Sequence, residues 1–152
     1  MTKTTRAAAI DQFIAQPAIA VVGVSRSGRK FGNMACRELR AKGYRVYPIH
    51  PFAHVIDGMH CCQGFEELPE RVDAVLIVVP PAQAGEVVRE AAAAGIHNVW
   101  LQQGAESVDV LKTCDELGLT CISGECVLMY AHPTSYHNVH RWLWRILGKL
   151  AA

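Results

Sequence analysis

No stretch of this 152-residue chain approaches the ~20 consecutive apolar residues that a helix needs to cross a bilayer. Excess charge of either sign is also missing: 15 Lys and Arg face 14 Asp and Glu, for a formal net charge of +1. That balance, with 51% hydrophobic residues, argues against a disordered chain and against a broadly basic nucleic-acid binder. The six cysteines (Cys36, Cys61, Cys62, Cys114, Cys121, Cys126) include no CxxC pair. They are too sparse for a small secreted disulfide scaffold and read as buried hydrophobes of a reducing compartment. Asp11 interrupts the short Ala run near the N-terminus, so no secretory h-region is expected and the expected location is cytoplasmic. Paired catalytic carboxylates do not stand out either. Glu66, Glu67, Glu70 and Asp73 bunch around Pro69, and Asp109, Asp115 and Glu116 fall on a polar helix face, all of which solvation explains.

The chain is organised around Ile19 to Asn33, IAVVGVSRSGRKFGN. An apolar run stops at Gly23, and a small, polar, basic segment (Ser25, Arg26, Ser27, Gly28, Arg29, Lys30) leads into a predicted helix. Strand, turn and helix N-terminus in that order place free backbone N–H groups and the positive end of a helix dipole where an anion can sit. From Ser25 to Arg45 there are seven basic residues and a single acid, Glu38. Arg26, Arg29 and Lys30, in the turn, are assigned to an anion site, whereas Arg37, Arg40 and Lys42 read as a solvated helix face.

Hydrophobic periodicity predicts a single domain over residues 1–152 with a helix over about 4–15 at its start. Strand one is expected at Ala18 to Val24, a helix at about Phe31 to Lys42, and strand two at Tyr44 to Ile49, with Pro48 expected to end it. Residues 50–69 read as a loop with one short strand or turn. Val72 to Val79 is a strand buried on both faces, and a helix follows up to Gly95. His97 to Leu101, a helix at about Ser107 to Leu117, and Leu119 to Ile122 continue the alternation, and a last helix is expected over about 139–150. This pattern predicts a three-layer α/β Rossmann-like fold, a parallel sheet of about five strands with helices on both faces, whose ligand sits at the carboxyl ends of the strands.

Gly23, Ser25 and Gly28 occupy the spacing of the dinucleotide fingerprint, with serine at the central glycine that normally lets backbone approach a pyrophosphate. Strand two ends in Ile49, His50 and Pro51, with no acid for the ribose hydroxyls of NAD. A phosphate on the ribose, as in coenzyme A, is therefore accommodated better. A P-loop is excluded, because Arg29, Lys30 and Phe31 follow Gly28 where that motif needs Lys and then Ser or Thr.

The chain resembles the small stand-alone CoA-binding proteins, whose Rossmann-like domain is similar to the CoA-binding domain of succinyl-CoA synthetase alpha subunits. The resemblance is carried by IAVVGVSRSGRKFGN, GYRVYPIHP, VDAVLIVVPP, VWLQQGAES and GLTCISGEC, in that order along about three quarters of the chain. It implies coenzyme A contacts at Gly23, Ser25 and Arg26, at the Lys30, Phe31 and Gly32 bend, at His50 and Pro51, and at Val79 and Pro80; Gly28 and Arg29 join this expected site through their places in the fingerprint and the basic turn. Many members carry Asn-Pro in place of His50-Pro51. The synthetases also need a phosphorylatable histidine and further domains that a chain of this length does not hold. The expectation is a coenzyme A or acyl-CoA binding protein without a complete active site of its own; an NAD(P)-binding redox enzyme or sensor is the alternative. No nucleic acid and no membrane span are expected, and a partner protein or homo-oligomer is left open. Cys126, His132, His137 and His140 match no zinc spacing, so no metal is expected. Cys126 is also read as a possible partner for the CoA thiol in a mixed disulfide, against the commoner fate of a buried structural cysteine.

Overall fold

The computed structural model of the chain describes residues 4–131; the expected helix over about 139–150 and the three C-terminal histidines lie outside them. Helix α1, Arg6–Ile14, begins where the Thr5 hydroxyl accepts the Ala8 N–H at 3.2 Å. It buries Ala9, Ile10, Phe13 and Ile14 and stops short of Pro17. Strand β1, Ala18–Val22, then enters the sheet, followed by helix α2, Phe31–Ala41, and strand β2, Arg45–Ile49. A two-stranded antiparallel hairpin, β3 (Val55–Ile56) and β4 (Met59–His60), and a 3-10 turn at Phe65–Glu67 fill the region expected to be a loop. Strand β5 (Ala74–Ile77), helix α3 (Pro81–Ala93), strand β6 (Asn98–Leu101), helix α4 (Val108–Glu116) and strand β7 (Thr120–Ile122) complete the alternation.

The five long-range strands are all parallel, in the order β2-β1-β5-β6-β7. Residue alternation sorts the core into two layers. Ile19, Val21, Leu76 and Trp100 face α1 and α2, while Ala20, Val75, Ile77, Val99 and Leu101 face α3 and α4. The ring of Phe13 meets the buried Trp100 edge-on at 5.2 Å, which seats α1 on β6. The chain leaves β1 for β2 on one side and later returns to place β5 on the other. The order reverses there, so the carboxyl ends of β1 and β5 flank the crevice where such sheets bind ligands.

Pro48 lies inside β2 instead of ending it, paired in register with Val21. The strand is at the sheet edge, and the Pro48 carbonyl points outward to accept the Cys62 N–H at 2.9 Å. Its missing N–H faces the same outer side, so no ladder bond to β1 is lost. At the opposite end of β2, Arg45 grips the Glu70 carboxylate with two 2.7 Å bonds and the Tyr47 hydroxyl donates to it as well. Arg45 first, and then Tyr47, hold the Glu70 carboxyl down to about 2. A depressed carboxyl contributes stability above its unfolded value, near 4.5, and loses it as pH falls toward 2. The difference in melting temperature between the wild type and Glu70→Gln is therefore expected to shrink across that window, and a difference that stays constant would contradict the assignment.

Candidate functional site

The site forms where β1 ends. Gly23 has φ +116°, and a Cβ built there would lie 2.2 Å from the Val78 carbonyl oxygen. The Val78 N–H in turn donates to the Val22 carbonyl at 2.7 Å. β1 and β5 therefore approach at their carboxyl ends more closely than a side chain allows. Gly32 repeats the device one element on, since its Cβ would lie 2.4 Å from the Gly23 carbonyl oxygen. Two glycines thus let the first turn of α2 rest directly on the end of β1.

Between them the loop is a tight turn. Gly28 N–H donates to the Ser25 carbonyl at 3.1 Å, and Gly28 itself has φ +74°. The Ser25 and Ser27 hydroxyls share a 2.9 Å hydrogen bond, and the Ser27 N–H donates to the Ser25 hydroxyl at 3.2 Å. The hydroxyl of Ser25, a residue expected to contact coenzyme A, is thus engaged within the turn.

Asn33 fixes this turn to the helix. Its side chain is fully buried; Oδ1 accepts the Ser25 N–H at 2.9 Å, and Nδ2 donates to the Ser25 carbonyl at 2.8 Å. One amide thus replaces a strand partner for Ser25 where the sheet has run out. The same Nδ2 lies 3.2 Å from the Asp57 carboxylate, which accepts Arg37 Nη1 at 2.8 Å. Arg37 Nη1 also reaches the Gly28 carbonyl at 3.2 Å. Arg37 is exposed on the helix face, as expected, and from there it also ties the loop to the hairpin, its partner standing 20 residues later.

Helix α2 opens at Lys30 with no side-chain cap and no acid in its first turn. Helix α3 likewise opens without a side-chain cap, whereas α1 and α4 are capped by the hydroxyls of Thr5 and Ser107. The Asn33 and Met34 N–H groups bond back to the Lys30 carbonyl, and the N–H groups before them are open to water or to an anion. Arg26, Arg29 and Lys30 are exposed along the loop, and Phe31 turns inward against the core. His50, at the end of β2, is pushed below its ordinary value by burial and then by the Arg26 guanidinium. Its Nδ1 accepts the Phe52 N–H at 3.1 Å, which leaves the proton of the neutral ring on Nε2. Arg26 thus lies within electrostatic reach of His50; Pro51 is exposed beside it. Val79 is half-buried and Pro80 exposed, in the two positions between Val78 and the first turn of α3.

Asn33 and Asp57 were not among the expected site residues. Asn33 closes the motif stretch, but a polar residue in the first turn of a helix does not announce whether it faces in or out. Asp57-Gly58 carries a clearer signal, since Asp-Gly between apolar residues is a strong hairpin dipeptide. Cys126 is half-buried, and its thiol lies within electrostatic reach of Lys42, one residue past the far end of α2. Among the described residues no group of three His, Cys, Asp or Glu is placed to hold a metal, and no helix is long and apolar enough to cross a membrane.

The geometry agrees with the company the sequence keeps. The alpha subunit of acetate-CoA ligase (ADP-forming) II from Pyrococcus furiosus is 25% identical over 135 residues, which are 81% of this chain and 30% of that subunit. The chain thus spans under a third of that relative's length. A conserved hypothetical protein from the same organism has a solved structure that superimposes with a TM-score of 0.69 at 36% identity, covering 74% of this chain and 97% of that one. The dinucleotide forming acetyl-coenzyme A synthetase 1 of Ca. Korarchaeum cryptofilum, in its apo form, gives a TM-score of 0.59 at 26% identity over 68% of this chain and 25% of its own. Residues 17–132, from the last residue before β1 to just past Ala131, match the CoA binding domain model, and the chain belongs to that family.

Proposed function

We propose that this protein binds coenzyme A or an acyl-CoA at the carboxyl edge of its sheet. The phosphates lie over the Gly23–Gly32 loop and the open end of α2, and the adenosine part lies toward His50, Pro51, Val79 and Pro80. The observation that carries the proposal is the loop itself: Asn33 fixes it in place, α2 begins after it uncapped, and Arg26, Arg29 and Lys30 are exposed along it. No acid ends β2, so the negative charge of a phosphorylated ribose meets Arg26 and not a carboxylate. A ligand-binding unit is the role this supports.

Calorimetric titration of the protein with CoA, acetyl-CoA, dephospho-CoA, NADH and NADPH at two salt concentrations tests it. CoA is expected to bind more tightly than dephospho-CoA, with an advantage that shrinks as salt screens the exposed cations. Arg26→Ala and Lys30→Ala are each expected to weaken CoA by about tenfold, the size of one charge-assisted hydrogen bond. Tight NADH binding with no response to CoA would establish the redox alternative instead.

A further inference from the structure

We propose that Asp57, at the tip of the β3–β4 hairpin, is a positioning residue for the coenzyme: it clamps the Ser25–Lys30 loop so that its carboxylate strengthens the binding of an anion although it adds negative charge beside the site. The proposal rests on the coenzyme reading above. Among the described residues Asp57 is the one non-glycine with positive φ, at 52°, a conformation that an Asp-Gly turn tolerates. The turn is anchored from below, because Ile56 and Met59 are buried in the core layer shared with α1 and α2. From that base the carboxylate reaches Asn33 at 3.2 Å and Arg37 at 2.8 Å. Arg37 holds the Gly28 carbonyl, and Asn33 holds both backbone groups of Ser25. The hydrogen bonds therefore connect both ends of the Ser25–Gly28 turn to one carboxylate, which is supplied by a segment more than twenty residues away. Its charge is taken up by Arg37, so what the ligand meets is an ordered loop beside an ion pair and not a free acid. Order present before binding does not have to be created during it.

Charge and clamping predict opposite signs. Removing a carboxylate near an anion site tightens anion binding if charge dominates and weakens it if the carboxylate organises the loop. Asp57→Asn keeps a side chain that suits the turn and retains an acceptor for Asn33, while it loses the ion pair; Asp57→Ala loses both. CoA affinity measured by calorimetry is expected to fall about fivefold in Asp57→Asn and further in Asp57→Ala. In the ligand-free proteins, amide hydrogen exchange at Ser25 and Gly28 is expected to quicken about tenfold, while amides of β5 and β6 keep their wild-type rates. Tighter CoA binding by Asp57→Asn, or unchanged exchange at Ser25 and Gly28, overturns the clamp. If the wild type does not bind CoA, the coenzyme reading falls by itself, and the exchange rates of the ligand-free loop still decide whether Asp57 orders it.

Discussion

Gly23→Ala is expected to cost about 3 kcal/mol or more, through a backbone conformation that non-glycine residues rarely adopt and through overpacking. At φ +116° the new methyl meets Val78 O at 2.2 Å, Val78 C at 2.6 Å and Val78 Cβ at 2.9 Å. Two of these atoms are backbone, so rotating a side chain cannot relieve the contact. Nor can the strands part: Val22 pairs with Ile77 in register, and the Val78 N–H bonds to the Val22 carbonyl. Such a loss is a large share of the ~5–15 kcal/mol that stabilises a typical domain. Gly32→Ala separates the two causes, because its methyl meets the Gly23 carbonyl oxygen at 2.4 Å without a positive φ at that position. Urea denaturation of both variants measures the costs. A Gly23→Ala protein within about 1 kcal/mol of wild type, less than the usual range for overpacking, would show that β1 and β5 can yield where Gly23 meets Val78.

Asn33→Ala is expected to remove about 1–3 kcal/mol, because it strands the part-buried N–H and carbonyl of Ser25 without their partner. The alanine takes away the acceptor of the Ser25 N–H and the donor to the Ser25 carbonyl together, and it frees one side of Asp57. Asn33→Asp is the sharper probe because it keeps the shape. An acceptor remains for the Ser25 N–H, while the donor becomes a carboxylate oxygen facing the Ser25 carbonyl and Asp57. Burial and the neighbouring negative charge raise the new carboxyl above its unfolded value of ~3.9. A raised carboxyl is neutral and able to donate below that value, and its deficit grows as pH rises through the folded value. Thermal melts are therefore expected to show Asn33→Asp closest to wild type near pH 4 and furthest from it near pH 8. A deficit independent of pH would mean that the side chain escapes to solvent.

Much of the fold was legible because its strands are buried in a way that leaves a mark. Ala74–Ile77 is covered on both faces and reads as an uninterrupted apolar run, and Gly43, Gly95 and Gly118 each follow a helix at positive φ, as their places in the sequence suggest. Pro48 misled, because an edge position forgives a missing N–H that a central strand would not. The hairpin escaped because its strands are two residues each, too short for alternation to register. In the site, the small residues and the cations stand out in order along the loop. What holds them does not: Asn33, Arg37 and Asp57 are ordinary polar residues until the fold brings positions 20 and more apart into contact.

The outer edge of β2 bears on how copies of this chain meet. A bare strand edge offers a ladder of donors and acceptors on which a second sheet can grow. Here Pro48 contributes no donor, and the Pro48 carbonyl and His50 N–H are already taken by Cys62. At the other border β7 spans only Thr120–Ile122, a short template. Both borders of the described sheet are thus blunted against strand addition, which disfavours copies meeting through an extended sheet.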